Sequence, residues 1–288
     1  MNKTNDLPAR MGAILAALRA SPPLIQVITN YVTVNDVANA LLCLGASPAM
    51  VEAENEAASF ARLASALYLN VGTLSAEQAR AMPRALTIAR ERGIPVVLDP
   101  VACGAFAEKM DYVRGLLQAG GISIIKGNAA EILSLAGMEA RSRGVDSLES
   151  GTNVGQACQF VANHYRAVVM ASGEVDTVSD GVSLWAITGG HPLLARVSGT
   201  GCVLGGLVAA MTVASRALGG GDADGCLAAA AVFGLAAQRA ATDGRIAGPS
   251  SFRTAVLDGL DAVQPDDLSS QAAKHLITIE QSDAQATK

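Results

Sequence analysis

The chain has 288 residues, a formal net charge of −5, and a composition that is 50% hydrophobic but only 3% aromatic. A chain of this length and hydrophobicity can bury a large core, which must be built mainly from Ala, Val, Leu and Ile. The acidic balance and the lack of a Lys/Arg run argue against nucleic acid as a partner.

The cysteines and the N-terminal segment indicate the compartment. No two of the five cysteines form a CxxC pair, which argues against a zinc site and a disulfide framework, and an odd number fits a reducing compartment. Residues 1–19 lack the apolar core of a secretion signal. No apolar run reaches membrane-spanning length without charge or glycine breaks. We therefore expect a cytoplasmic protein with no membrane partner.

Short β-branched runs alternate with helical patterns along most of the chain. The predicted strands are 24–29, 48–51, 67–71, 94–98, 122–125 and 168–171, followed by a hairpin over 176–187. The predicted helices are 34–44, 54–66, 76–92, 106–119, 129–136, 155–165, 202–218, 222–242 and 250–263.

This alternation predicts a single α/β domain over 1–265, with a central, mostly parallel sheet flanked by helices. The apolar stretch from Cys226 to Ala241 is too short for a membrane span and is interpreted as a buried core helix. The polar C-terminal tail, 266–288, is expected to be loosely held or disordered, and 141–151 is the only plausible loop insertion.

Ligands bind at the carboxyl ends of the strands in sheets of this type. Polar or glycine-rich residues follow nearly every predicted strand, and those singled out are Asn30, Asp36, Gly72-Thr73, Asp99, Lys126 and Ser172. Asp36 is equally typical of a helix cap, and Ser172 of a simple turn. Met50, which follows the second strand, is by itself more typical of a core residue than of a ligand contact.

A glycine-rich turn opens the first of the C-terminal helices. The run Ser198-Gly199-Thr200-Gly201-Cys202 brackets a threonine with glycines and ends on a cysteine. Such a turn leaves backbone N–H groups unpaired at the positive end of the helix dipole, which favours a phosphate or another anion. Alone, the pattern fits a tight turn as well as a phosphoryl-transfer site.

Two acids stand at neighbouring predicted strand ends. Asp99 is compatible with a turn or cap, and Glu131 with a capping box begun by Asn128. Together they indicate a magnesium site, because the Mg²⁺ of a nucleotide is usually held by one or two carboxylates plus phosphates. Lys126 ends a buried strand and can meet a phosphate as a point charge, although a surface lysine is the ordinary interpretation.

Several familiar sites are missing. The phosphate-binding string GxxxxGK[ST] does not occur, and no GxGxxG fingerprint follows the first strand, which argues against a dinucleotide enzyme. The three histidines are scattered, so no Ser–His–Asp or Cys–His arrangement is visible.

Seven motifs follow one another between Pro23 and Val263. They are Ile28-Thr29-Asn30-Tyr31-Val32-Thr33-Val34-Asn35, Gly45-Ala46-Ser47-Pro48-Ala49-Met50, Leu69-Asn70-Val71-Gly72-Thr73-Leu74, Val96-Val97-Leu98-Asp99-Pro100-Val101, Ile125-Lys126-Gly127-Asn128-Ala129-Ala130-Glu131-Ile132, Ser172-Gly173-Glu174-Val175-Asp176 and Gly199-Thr200-Gly201-Cys202. In this order they resemble the hydroxyethylthiazole kinase family of the ribokinase-like superfamily. The resemblance implies a ribokinase-like fold and phosphorylation of the hydroxyl of 4-methyl-5-(2-hydroxyethyl)thiazole by ATP, in thiamine salvage.

The same resemblance implies roles for the catalytic turn. Cys202 stands where most ribokinase-like enzymes have an aspartate base, and Gly199, Thr200 and Gly201 form the anion hole. A helix N-terminus lowers the pKa of a thiol, so we expect a lowered pKa for Cys202. A loose transition state needs little base help, so Cys202 is expected mainly to orient the substrate hydroxyl.

The remaining implied roles concern ligands and assembly. The resemblance assigns ATP contacts to Lys126 and Ser172, and magnesium to Asp99 and Glu131. It assigns the thiazole to Met50, Gly199 and nearby Asn30. It also implies a homotrimer with sites between subunits, so that residues near the first strand can serve a neighbour's site.

The departures from the family pattern are local. Gln26-Val27 replaces a frequent His-Cys, Ala102-Cys103 stands where Gly is frequent, and Ser172 replaces a frequent Thr but keeps the hydroxyl. The competing hypotheses are another ribokinase-like kinase, a nucleotide-dependent hydrate dehydratase, and a binding regulator without activity. Cys202 in place of an aspartate disfavours the first two, and retention of Asp99, Glu131 and Lys126 disfavours the third.

Overall fold

The computed structural model describes residues 6–138, 147–271 and 276–279. Its strands are β1 Leu24–Ile28, β2 Ser47–Ala49, β3 Ala66–Asn70, β4 Val96–Asp99, β5 Ile124–Asn128, β6 Val168–Ser172, β7 Val175–Ser179, β8 Leu184–Thr188 and β9 Leu276–Ile279. Its helices are α1 Leu7–Ala20, α2 Val34–Leu44, α3 Glu54–Ala61, α4 Ala76–Arg92, α5 Ala107–Ala119, α6 Ala129–Leu135, α7 Ser147–Tyr165, α8 Thr200–Ala217, α9 Asp222–Thr242, α10 Pro249–Ala262 and α11 Pro265–Gln271. A short 3₁₀ helix at Pro192–Arg196 precedes α8.

The described strands form one sheet in the order β2-β1-β3-β4-β5-β6-β7-β8-β9. Neighbours from β2 to β6 run parallel, and β6 to β9 run antiparallel. Strand residues alternate between two apolar clusters, with Leu67 and Leu69 in one and Ala66 and Tyr68 in the other, as the twofold period of a strand requires. The predicted mostly parallel α/β sheet with helices on both faces is therefore confirmed.

Helices α8 and α9 form the centre of one helical layer. Both are long and apolar enough to cross a membrane, but 67% and 78% of their most apolar windows are buried inside the protein. They approach closely, since a Cβ at Gly225 would lie 2.5 Å from Oγ1 of Thr212. The prediction of a buried core helix over Cys226 to Ala241 is confirmed, and small side chains supply the packing that scarce aromatics do not.

Both ends of the described chain hold more structure than the sequence predicted. No element was expected before the first strand, yet α1 buries Met11 and Leu15 completely and packs on α9 and α11. The expectation of a loosely held tail is wrong for Pro265–Gln271, which is helical and buries Leu268, and for Leu276–Ile279, which pairs with β8. Residues 280–288 lie outside the described part of the chain.

Most element boundaries differ from the prediction by one or two residues, and the differences at α3, β5 and α7 are larger. Helix α3 ends at Ala61, five residues before the predicted end at 66. Strand β5 extends to Asn128, so Lys126 lies within the strand instead of after it. The predicted insertion at 141–151 lies partly outside the described residues, and α7 already begins at Ser147.

Candidate active site

The carboxyl ends of four parallel strands meet the N-terminus of one helix. Helix α8 packs against β1, β3, β4 and β5. Asn30 follows β1, Asp99 ends β4, Lys126 lies in β5, and Cys202 is in the first turn of α8. The sequence prediction that these residues share one edge of the sheet is confirmed by the contacts described below.

Gly199 gives the turn before α8 its shape. Its φ of +84° is in the left-handed region that favours glycine, and it is the N-cap of the helix. A Cβ at this position would also collide with Cγ2 of Thr33. Two conditions therefore require a glycine here: the left-handed backbone conformation and the close approach of the segment that follows β1. The first amide groups of α8 are left to face a ligand, as at any helix start.

Cys202 is the third residue of α8 and is only partly exposed. The side-chain amide of Asn30 donates to its sulfur across 3.4 Å. Burial raises the pKa of Cys202 above its ordinary value, and the negative charge of Asp99 raises it further, while Lys126 and the neighbouring amides oppose the rise. The expectation that the helix N-terminus lowers this pKa is therefore wrong, because burial outweighs it, and the thiol is neutral near pH 7.

Asp99 is 2% exposed and belongs to a buried polar network. Its Oδ2 accepts hydrogen bonds from the hydroxyl of Tyr68 at 2.8 Å and from Nδ2 of Asn70 at 3.0 Å. Burial raises the pKa of Asp99 from 3.8 to about 6; Lys126 opposes the rise, and Glu131 adds to it. A carboxyl group held this way can change its charge close to neutral pH.

Glu131 forms the capping box with Asn128 that was one of its two interpretations from sequence. Its Oε2 accepts from the backbone N–H of Asn128 at 2.7 Å, and its own N–H donates to Oδ1 of Asn128 at 2.9 Å. Its Oε1 accepts from the N–H of Ala102 at 2.8 Å. Both carboxylate oxygens of Glu131 are thus engaged by backbone amides, and its charge still acts on Asp99.

Lys126 is 2% exposed, so the interpretation as a surface lysine is wrong. Its ammonium group donates to the carbonyl oxygen of Gly201 at 2.9 Å, inside the first turn of α8. Its positive charge lowers the pKa of Asp99, Cys202 and Asp176, which places it among all three. A buried ammonium under the glycine turn suits a phosphate that approaches the same turn.

Ser172 ends β6 opposite Asn128 of β5, at the same sheet edge. Its hydroxyl donates to the carbonyl oxygen of Gly127 at 3.2 Å. Asp176, on the next strand, accepts from the N–H of Gly173 at 3.0 Å and holds the turn between the two strands. Burial raises the pKa of Asp176 to about 6. Ser172 therefore lies beside the capping box of α6, within one strand of Lys126.

Met50 follows β2, the edge strand that pairs with β1, and packs against one apolar cluster. Two buried glutamines hold the segment after it. Gln26 donates to the carbonyl oxygens of Val51 at 3.1 Å and Ala57 at 3.0 Å. Gln78 donates to Oε2 of Glu52 at 2.8 Å and to the carbonyl oxygen at the end of β1 at 2.7 Å. The segment after Met50 is thus held against β1, next to Asn30.

Sequence reasoning did not identify Tyr68 and Asn70 as site residues. Asn70 ends β3, accepts from Nδ2 of Asn30 at 2.9 Å and from the N–H of Gly72 at 3.0 Å. The signal was available for Asn70, which stands just before a glycine at a predicted strand end. Tyr68 carried no signal, since an aromatic inside a strand is typical of a core residue.

Asp99 and Glu131 are too few to bind a metal ion by themselves, and a cation at this place would need further ligands from outside the protein. Among residues 6–138 and 147–271, no group of three or more His, Cys, Asp or Glu side chains is arranged around a metal position. Asp99 and Glu131 are close enough to repel each other, which a positive charge would relieve. Because both oxygens of Glu131 already accept backbone amides, Asp99 is the acid of this pair that could bind a cation directly, and phosphate oxygens and water would have to supply the other ligands.

The amino-acid sequence is similar to proteins of one described family. The chain matches the model described as HK, Hydroxyethylthiazole kinase family, over residues 15–266. It is 45% identical over 250 residues to a hydroxyethylthiazole kinase of Desulfitobacterium hafniense, covering 86% of this chain and 92% of that protein. A hydroxyethylthiazole kinase of Syntrophomonas wolfei is 43% identical over 256 residues, covering 87% and 93%.

Solved structures agree with this. The structure of a hydroxyethylthiazole kinase protein from Pyrococcus horikoshii OT3 matches with a TM-score of 0.84 at 33% identity, covering 94% of this chain and 99% of that one. Pyridoxal kinase from Staphylococcus aureus shares the fold, with a TM-score of 0.60 at 14% identity over 90% and 100% of the two chains. The ribokinase-like fold implied by the motifs is confirmed, and the chain belongs to the hydroxyethylthiazole kinase family.

Proposed function

We propose that this chain transfers the γ-phosphoryl group of ATP to the hydroxyl of 4-methyl-5-(2-hydroxyethyl)thiazole, in thiamine salvage. Its family membership supports the substrate. The observation that carries the proposal is the position of Cys202, in the first turn of α8, with Asn30 bonded to its sulfur and the charges of Lys126 and Asp99 acting on it. A neutral thiol there suits an uncharged alcohol substrate.

Phosphoryl transfer depends mostly on positioning and on electrostatic stabilisation. The free amides at the start of α8, from Gly199 to Cys202, form the anion hole for the transferred group. Lys126 fixes this turn through the carbonyl oxygen of Gly201 and supplies the nearest buried positive charge. Ser172 contacts ATP from the neighbouring strand end.

Cys202 orients the substrate hydroxyl instead of removing its proton in a separate step. Burial and Asp99 hold its pKa above the ordinary thiol value, so little thiolate exists near pH 7. The sulfur accepts a hydrogen bond from the hydroxyl and keeps the oxygen in line with the γ-phosphate. Asn30 holds the sulfur in place, and the thiazole ring lies between Met50 and Gly199.

Mg²⁺ is the expected cofactor: Asp99 would hold it directly, and Glu131 would contribute its negative charge from nearby. When bound, it neutralises negative charge on the phosphates. The protein's own part is to keep an ionised carboxylate buried at the end of β4, where Tyr68 and Asn70 donate to it. Glu131 fixes the backbone around this carboxylate through the N–H groups of Ala102 and Asn128.

The assembly we propose is a cytoplasmic homotrimer with a site at each subunit junction. The exposed side chains of Tyr31 and Val32, at 76% and 52%, follow Asn30 directly and are available to a neighbouring subunit. Small molecules are the partners, with no role for nucleic acid or membrane. Light scattering of the purified protein, with and without the thiazole, checks the trimer.

One assay tests the proposed function. ATP consumption is measured with the hydroxyethylthiazole, with a hydroxymethylpyrimidine and with ribose, each with and without Mg²⁺. We expect turnover with the thiazole that is at least tenfold faster than with either alternative and that requires the metal. Equal or absent turnover with the thiazole would contradict the proposal.

A further inference from the structure

The hydroxyl of one buried tyrosine joins the acid of the site to the catalytic helix. Tyr68 lies in the middle of β3 and is fully buried. Its hydroxyl is 2.8 Å from Oδ2 of Asp99, 2.9 Å from the carbonyl oxygen of Cys202 and 3.0 Å from Nδ2 of Asn70. Among the hydrogen bonds of the described residues, those of the Tyr68 side chain alone join Asp99 to the backbone of Cys202.

The hydroxyl is a donor shared by two acceptors. It carries one proton, Nδ2 of Asn70 donates to its oxygen, and both Asp99 and the Cys202 carbonyl can accept from it. Burial raises the pKa of Tyr68 well above its ordinary value, so the proton stays on the ring oxygen. The orientation of the Asp99 carboxyl group and the position of the first turn of α8 therefore both depend on the Tyr68 hydroxyl.

A glycine in α8 leaves the space that the Tyr68 ring occupies. Gly205 lies three residues after Cys202, and a Cβ there would be 2.6 Å from the Tyr68 hydroxyl and 2.7 Å from two of its ring atoms. A Cβ does not come this close to another atom unless something shifts, and the Tyr68 ring is fully buried, so a shift is costly. Tyr68 and Gly205 therefore form a matched pair: the glycine is what allows the hydroxyl to reach the first turn of α8.

We propose that Tyr68 is a positioning residue that fixes the first turn of α8 against Asp99, with Gly205 providing its space. This deepens the proposed kinase function and rests on it. Tyr68 meets no reacting atom. It acts through Asp99, whose carboxyl group it orients, and through the Cys202 backbone, which holds the first turn of α8 in place.

The test compares Tyr68→Phe with Tyr112→Phe. Both changes keep the ring and remove a hydrogen-bonded hydroxyl. Tyr112 is partly buried, and its hydroxyl donates to the carbonyl oxygen of Ala79, away from the site. We expect Tyr68→Phe to lower kcat about tenfold and to change either KM less than about twofold. Tyr112→Phe is expected to match the wild type in kcat and in both KM values.

A second pair of variants checks the role of Gly205. Gly205→Ala alone is expected to lower kcat and thermal stability, since it displaces the ring. Gly205→Ala in a Tyr68→Val background is expected to cost no further stability, because valine vacates the space that the methyl group needs. A loss that is as large in the Tyr68→Val background as in the wild type would overturn the matched-pair argument.

The rate of alkylation of Cys202 by iodoacetamide, followed by peptide mass spectrometry, needs no turnover. We expect Tyr68→Phe, which frees the first turn of α8, to react severalfold faster than Tyr112→Phe. Equal alkylation rates, or an unchanged kcat in Tyr68→Phe, would overturn the proposal for Tyr68. Failure of the wild type to phosphorylate the thiazole would instead overturn the proposed function, and the alkylation comparison would still decide the role of Tyr68.

Discussion

The side-chain amide of Asn30 lies 3.4 Å from the sulfur of Cys202 and 2.9 Å from Oδ1 of Asn70. One planar group therefore connects the ends of β1 and β3 with the first turn of α8. Asn70 in turn donates to Asp99 at 3.0 Å, so the thiol and the acid are joined by two amides. In this network the cysteine is held as a neutral hydrogen-bonding group instead of an exposed nucleophile.

Replacement of the thiol is expected to slow turnover moderately. Because the pKa of Cys202 is raised, its contribution as a base is limited, and we expect Cys202→Ala to lower kcat by about 10- to 100-fold, at the low end of general-base effects. The Kd for ATP, measured by calorimetry, is expected to stay within about twofold. Cys43→Ala, at another partly exposed cysteine, serves as the control and is expected to match the wild type. Loss of ATP binding in Cys202→Ala would contradict an orienting role.

The glycine turn is expected to tolerate no side chain at Gly199. Gly199→Ala meets the left-handed backbone, at about 1–2 kcal/mol, and also the collision with Thr33. Gly219→Ala is a matched control, since its φ of +76° carries the same strain but nothing lies within 4 Å of the added Cβ. We expect both variants to lose stability in urea unfolding, and only Gly199→Ala to lose more than about 100-fold in kcat/KM. Similar activities of the two variants would show that the close approach to Thr33 is unimportant.

The sequence allowed the strand ends and the glycine turn to be predicted, because polar residues after apolar runs and glycines before a helix leave local signals. It did not allow the state of the side chains to be predicted. The expected low pKa of Cys202 was wrong, since helix position is visible in a sequence and burial among other charges is not. Tyr68 was missed for the same reason: its hydroxyl gains a role only when β3, β4 and α8 pack together.

Activity is expected to fall in mild acid because of one carboxyl group. The pKa of Asp99 is raised to about 6, so below that pH the group gains a proton and loses the charge that the proposed cation needs. We expect kcat/KM for ATP to show an acid limb near pH 6. Asp176→Asn is the control, since the pKa of Asp176 is also raised to about 6. If the acid limb disappears in Asp176→Asn, the limb belongs to Asp176, and its attribution to Asp99 is wrong.

The same two acids predict how stability changes with pH. Their folded-state pKa values lie above the ordinary value of 3.8, so the folded protein binds more protons than the unfolded chain between about pH 4 and 6. Their contribution to the free energy of unfolding is therefore fully present at lower pH and is lost as the pH rises through 6. The free energy of unfolding of Asp176→Asn minus that of the wild type is therefore expected to be larger at pH 7.5 than at pH 5. Urea unfolding of both proteins at both pH values measures this difference. An equal difference at both pH values would contradict the raised pKa.

The segment after Met50 is expected to depend on Gln26, the residue that stands where the family often has histidine. Gln26 is fully buried and donates to the carbonyl oxygens of Val51 and Ala57, while its own Oε1 has no partner. Gln26→Leu keeps the volume but removes both hydrogen bonds, which frees the segment that carries Met50. Loss of a hydrogen bond of about 1 kcal/mol corresponds to roughly a fivefold change in affinity.

We therefore expect Gln26→Leu to raise KM for the thiazole about three- to tenfold and to leave KM for ATP unchanged. Gln159→Leu is the matched control, because Gln159 lies on α7 and also has a buried amide atom without a partner. It is expected to change neither KM. An equal rise in both KM values for Gln26→Leu would mean that the glutamine supports the whole sheet edge. A split between the two substrates would show that the Met50 segment belongs to the thiazole side of the site.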